Sequence, residues 1–166
     1  MTAVNATATL AQAGKFLSFR LGADEYGVEI LKVQEIVGGS GISRTPRDSG
    51  PVRGTVDLRG RSIPVVDMRS CLHLPRSPES EKNCIIVADV VRAGRNIPVG
   101  LLVDEVCEVL SITEDEIDLP PAGGGGLEEI DFINGMGRLD DRDVDLVDVQ
   151  HLLAYDDLST IDSMTN

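Results

Sequence analysis

Adding 81 to Gly54, Leu58, Arg61, Val66, Asp67 and Leu72 lands on Gly135, Leu139, Arg142, Val147, Asp148 and Leu153. At the same offset Ile63 and Val65 are answered by Val144 and Leu146. Six identities at one spacing mark two related modules in one chain. The period exceeds the roughly 20–50 residues of a solenoid repeat, so the pattern reads as a duplicated small domain. In a chain of 166 residues each half alone buries a thin core. The halves must therefore pack together or share elements.

Within each half the hydrophobic pattern has period two. Leu17, Phe19 and Leu21 alternate with Ser18 and Arg20, which predicts a half-buried strand. Gly22 to Glu25 predicts a turn, and Tyr26 to Ile30 the returning strand of a hairpin. Leu31 to Ile36 fits both a short helical turn and a strand. Val37 to Gly54 is punctuated by Gly and Pro and predicts loop, with a short strand near Ile42 to Arg44. Val56 and Leu58 point inward, so Asp57 and Arg59 point outward. Gly60 and Arg61 then turn the chain into Ile63 and Val65. Asp67 is placed to cap a helix over Met68–Leu74 that Pro75 ends, and Asp148 to cap its counterpart. Cys84 to Ala88 is an apolar run that predicts a strand covered on both faces. Ile97 to Val103 returns it, with Pro98 marking an edge or bulge. Many short strands between Gly/Pro turns argue for small antiparallel barrels. Residues 1–14 and 156–166 read as disordered tails, and Pro120 to Gly126 as a flexible loop.

The charge balance excludes some functions. Fifteen basic against 28 acidic residues give a net charge of −13, which phosphate backbones and anionic membranes repel. Five aromatic residues, none of them Trp, leave no stacking platform for single strands. The three cysteines, Cys71, Cys84 and Cys107, have no C-x-x-C spacing and read as reduced, buried thiols of a cytosolic protein. The N-terminus has neither the basic nor the apolar region of a signal peptide, and no apolar stretch reaches a membrane span.

Catalytic chemistry is not nominated. His73 and His151 sit near predicted helix ends without partner groups. Gly135-Met136-Gly137 lacks the third glycine and the context of a dinucleotide site. Asp140, Asp141, Asp143, Asp145 and Asp148 alternate with Val144 and Leu146, which reads as the solvated face of a strand and not a calcium loop. Glu114, Asp115, Glu116 and Asp118 read as a solvated turn. No metal or cofactor is expected.

Three segments carry a resemblance. Leu21 to Ile36 (LGADEYGVEILKVQEI), Gly54 to Asp67 with its L-R-G and P-V-V-D, and Ile133 to Arg142 (INGMGRLDDR) resemble the chemotaxis coupling proteins of the CheW-like family. The likeness spans about residues 15–155. It implies an all-β fold of two tandem SH3-like five-stranded β-barrels packed side by side. Barrel one would take about 15–80 and barrel two about 81–155, with elements free to be shared. It implies no enzymatic activity and a cytoplasmic adaptor recruited to membrane receptor arrays. There it would join the cytoplasmic tip of chemoreceptors to the regulatory domain of a CheA-type histidine kinase. Receptors of this family dock in a groove near the barrel junction, and the docking positions map here to Val33, Glu35, Gly54, Arg59 and Ile85. Asp57 stands where the family usually has Asn and offers Arg59 a carboxylate. The alternative is a regulatory input domain that binds a small ligand or a response regulator in a related pilus or gliding system.

Overall fold

The computed structural model describes residues 11–44, 52–72, 74–75, 81–92, 94–119 and 133–152. The N-terminal hairpin pairs β1 (Gly14–Leu21) with β2 (Asp24–Glu29) around Gly22, whose φ of 67° suits a residue without a Cβ. A 3-10 turn at Ile30–Lys32 leads into β3 (Val33–Gly38), so both readings of this ambiguous stretch hold. A second 3-10 turn, Gly39–Gly41, leads into β4 (Ile42–Arg44). Next come β5 (Val52–Leu58), β6 (Arg61–Asp67) and the one-turn helix α1 (Met68–Cys71). The second repeat follows the same order. It contains β7 (Cys84–Arg92), β8 (Arg95–Val103), β9 (Glu105–Ile112), a 3-10 turn at Glu114–Glu116, β10 (Ile117–Asp118), β11 (Ile133–Arg138), β12 (Asp143–Val147) and α2 (Val149–Leu152).

The duplication survives in the hydrogen bonding. Leu58 pairs with Arg61 around the two-residue turn Arg59–Gly60. Leu139 donates to the carbonyl of Arg142 around Asp140–Asp141, 81 residues on. The turn thus sits one residue earlier than Gly60–Arg61, and Arg59 belongs to it and not to the strand. Asp67 accepts a hydrogen bond from the N–H of Arg69 at 3.0 Å, as a helix cap should, though α1 is shorter than Met68–Leu74. Asp148 directly precedes α2, at the equivalent position.

The barrels do not divide at residue 80. One six-stranded sheet runs β10-β11-β12-β2-β1-β9 and the other β3-β7-β8-β6-β5-β4. Each repeat gives its first hairpin to one sheet and its last four strands to the other. This exchange meets the thin-core problem, because strands of both repeats fill every core. Parallel contacts seal it: Val65 lies beside Gly100, and Leu146 beside Gly27. A Cβ on Gly100 would stand 2.7 Å from Ile85 Cγ2, so only glycine fits there.

Both sheets curl into SH3-like barrels. β3 and β4 lie at opposite edges of one sheet, yet only Gly39–Gly41 separates them. β9 and β10 close the other in the same way. Counting each of these bent pairs as one strand gives five per barrel, and counting them separately gives six. Closure covers most strand edges. Pro98 is tolerated in β8 because β6 joins that strand only from Gly100 onward.

Leu17, Phe19, Leu21, Tyr26, Val28 and Val147 from one sheet meet Val66, Ile86, Ala88, Val90, Val99 and Leu101 from the other in a shared core. Each barrel keeps a smaller core of its own. Residues 11–14, expected in a tail, are tied in: Ala11 donates to the carbonyl of Asn134 at 2.9 Å, and Gly14 opens β1. The expected tail at 156–166, the loop at 120–126 and His73 lie outside the described residues, as does the side chain of His151. No helix among the described residues is long and apolar enough to cross a membrane.

Candidate partner-binding site

The five residues implied by resemblance fall into three settings. Arg59 and Glu35 form one unit. Arg59 sits in the β5–β6 turn with φ 52°, the only non-glycine residue in the left-handed region among those described. With Gly60 at φ 81° it makes a primed two-residue turn, whose twist matches the flanking strands. The turn carries the guanidinium across to β3, where Nη2 lies 2.6 Å from Glu35 Oε1. The Arg59 side chain is 77% exposed and that of Glu35 23%. Asp57, two residues back on β5 and exposed, is not the partner of Arg59; the carboxylate comes from 24 residues upstream. An exposed pair of this kind contributes only about 0.2–1 kcal/mol to folding. Its stability does not explain a positively charged side chain held in a strained turn.

Val33 is half-buried and packs on the shared core. Opposite β7 it faces Ala88, whereas Glu35 faces Val87, so Gln34 is the extra residue of a β-bulge. Across the bulge β3 leaves the shared core and enters the core of its own barrel, where Val37 packs. Gln34 points out and donates to Asp89 Oδ1.

Gly54 and Ile85 are placed differently. Gly54 is buried in β5 between Arg44 and Val65, five residues from Arg59, or roughly 16 Å at about 3.3 Å per residue. Ile85 is 0% exposed and packs with Val56, Ile63, Val65 and Val87. A contact role for Ile85 is therefore corrected: its side chain presents no surface. The resemblance alone implied that role, and a central strand covered on both faces shows no alternation that would reveal its depth.

Sequence reasoning missed two exposed apolar residues close to the pair in the chain. Leu31 is 93% exposed in the Ile30–Lys32 turn, and Ile36 is 42% exposed on β3. Large apolar side chains this open flank Val33 and Glu35 on both sides in the sequence. The Ile30-Leu31 doublet was the available signal. The opposite turn of the duplicated hairpin does not repeat the arrangement. There Arg142 binds Glu25 at 2.7 Å, Glu108 at 2.9 Å and Asp141 at 3.0 Å, a structural clamp between β2, β9 and its own turn. Among the described residues no group of His, Cys, Asp or Glu is arranged to hold a metal ion.

Two interleaved SH3-like barrels, with Leu31, Ile36 and the Arg59–Glu35 pair open at the surface of one of them, define the class of fold. The model of the CheW-like domain family matches residues 15–157. The chain is 33% identical to the chemotaxis protein CheW of Klebsiella aerogenes over 150 residues, 90% of this chain and 87% of that one. It is 32% identical to the CheW of Bacillus subtilis over 117 residues, covering 70% and 72%. The crystal structure of the scaffolding protein TtCheW from Thermoanaerobacter tengcongensis superposes with a TM-score of 0.74 at 28% identity, over 87% of this chain and 95% of that one. The chain belongs to the CheW-like domain family and is a non-catalytic chemotaxis scaffold.

Proposed function

We infer that this scaffold couples chemoreceptors to a CheA-type histidine kinase, with the receptor tip docking at Arg59, Glu35 and Val33 and with Leu31 and Ile36 widening the contact. The observation that carries the reading is the Arg59–Glu35 pair: a guanidinium held by a left-handed turn over a carboxylate of the neighbouring strand. Arg is enriched among interface hot spots. A receptor tip is a helical hairpin, and apolar side chains beside fixed charges suit such a partner. Gly54 and Ile85 support the surface from within, by letting β5 and β7 pack. The kinase regulatory domain engages a different face, since a bridge must hold both partners at once. Interfaces of modest size suffice, because clustering raises effective concentration. The test is retention of the protein on an immobilised kinase regulatory domain, with and without a receptor fragment. Coupling predicts retention in both cases and recruitment of the fragment through this protein. A protein that the kinase domain does not retain is not its adaptor.

A further inference from the structure

We propose that Arg69 is a positioning residue that sets the angle between the two barrels, acting through Asp104. The chain crosses from barrel to barrel within each repeat, once at the Ile30–Lys32 turn between β2 and β3 and once at Asp104, the single residue between β8 and β9. The two crossings are secured unequally. The Ile30–Lys32 turn has no side-chain cap bond and is held by the partly buried Ile30, which packs on the shared core. Asp104 is held from four directions. Arg69 Nε donates to Oδ1 at 2.9 Å, and Arg69 Nη2 donates to Oδ2. The N–H of Gly22 donates to Oδ2 at 2.8 Å, and the N–H of Asp104 donates to the carbonyl of Arg20 at 3.1 Å. Arg69 Nη1 also donates to the carbonyl of Pro75 at 2.7 Å. One guanidinium therefore ties α1, the β8–β9 crossing and the chain leaving α1, while its carboxylate partner adds the β1–β2 turn of the other barrel.

The shared apolar core supplies most of the contact, and the pair adds direction to it. Apolar burial is non-directional, so it favours contact without selecting one rotation. A bidentate arginine–carboxylate pair has a single geometry. This one is mostly hidden, with side-chain exposures of 15% and 24%, so water screens it less than a surface pair. The hydrogen bonds from Arg69 hold the Asp104 carboxyl below the usual carboxylate range, against the effect of burial. The node is also not a leftover of the duplication. The residue 81 positions after Arg69 is Gln150, whose amide bonds the N–H and C=O of Val91 at 2.7 and 2.6 Å and touches neither crossing. The candidate site on β3 begins immediately after the Ile30–Lys32 crossing, so the angle set at Asp104 determines how the second barrel stands beside it. That functional consequence rests on the adaptor reading, whereas the angle does not.

The experiment uses the full chain with Cys71, Cys84 and Cys107 changed to Ala. Nitroxide labels go at Asp57→Cys on β5 and Ser111→Cys on β9, exposed positions in different barrels. Pulsed dipolar spectroscopy then reads the distance between barrels. Arg69→Gln and Asp104→Asn are expected to broaden or shift the distance distribution while cooperative unfolding persists. The exchanged pair Arg69→Asp with Asp104→Arg is expected to narrow it again. An unchanged distribution in the folded single variants overturns the proposal. If Arg69→Gln does not fold, Arg69→Lys keeps the charge but not the planar fork, and an unchanged width there overturns it equally. Receptor-fragment affinity measured on the same samples separates the two levels: a changed angle with unchanged affinity removes the adaptor consequence alone.

Discussion

Glu35 and Arg59 stand 24 residues apart in the chain, on an outer strand and on a turn at the far side of the sheet order, yet their side chains meet at 2.6 Å. Closure of the barrel brings them together, and the left-handed backbone at Arg59 aims the guanidinium. Arg59→Ala should weaken receptor binding by about 2 kcal/mol or more, close to 30-fold, while changing folding stability by less than about 1 kcal/mol. Glu35→Lys should act in the same direction by repelling Arg59. Isothermal titration with a receptor fragment, beside urea unfolding, reads both. A loss of cooperative unfolding in Glu35→Lys would make the residue structural.

Arg59→Asn separates strain from function. Asn accepts the left-handed region more readily than Arg, and backbone strain there is worth about 1 kcal/mol. The variant should unfold at slightly higher urea than the parent and bind receptor less well. A variant that is both less stable and fully active would show that Arg59 is kept for the turn.

Asp67 has two duties. Its carboxylate caps α1 at Arg69 and lies 3.4 Å from Arg53 Nε, with both side chains nearly buried. Asp67→Ala should therefore cost roughly 2–4 kcal/mol, more than a lone cap at about 1. Asp67→Asn keeps a capping oxygen and should cost less. Urea midpoints order the three proteins.

Burial, and then the nearby Asp24 and Asp143, raise the Asp145 carboxyl above its ordinary value of 3.8. The folded state therefore holds this proton more tightly than the unfolded state. The stabilisation that brings is complete below the unfolded value and is lost as pH rises through the folded one. Ionised Asp145 thus costs stability near neutrality, and Asp145→Asn should raise the urea midpoint at about pH 7. The advantage should shrink toward about pH 4. An advantage that does not change with pH would assign the effect to packing.

Gly100 and Gly27 occupy related places beside the parallel contacts but differ in room. The nearest atom to a Cβ at Gly100 is Ile85 Cγ2 at 2.7 Å, and at Gly27 it is Leu146 Cδ2 at 3.3 Å. Gly100→Ala should cost about 1–3 kcal/mol by overpacking, and Gly27→Ala less. Equal costs would mean that Ile85 moves aside freely.

What was legible in the sequence was local. Alternation placed the strands around Phe19, Val56 and Ile63, glycines placed the turns, and the 81-residue offset matched Leu58 and Arg61 with Leu139 and Arg142 down to their hydrogen bonding. Alternation says which face a residue takes, not which barrel its strand joins, so the exchange of β1–β2 and β7–β8 was not readable. Depth was hidden as well: Ile85 and Val33 look alike in a pattern of apolar residues, but one is sealed and the other half-open. The Arg59–Glu35 and Arg69–Asp104 pairs join residues 24 and 35 positions apart, and no local rule links them. The bulge at Gln34 and the openness of Leu31 follow from register and closure, which only the folded barrel sets.

The bridging claim is tested most directly by titrating a labelled receptor fragment into this protein, free and saturated with the kinase regulatory domain. Separate surfaces predict a ternary complex and a receptor affinity that the kinase domain leaves unchanged or strengthens. Displacement of one partner by the other, with each binary complex intact, would contradict the account.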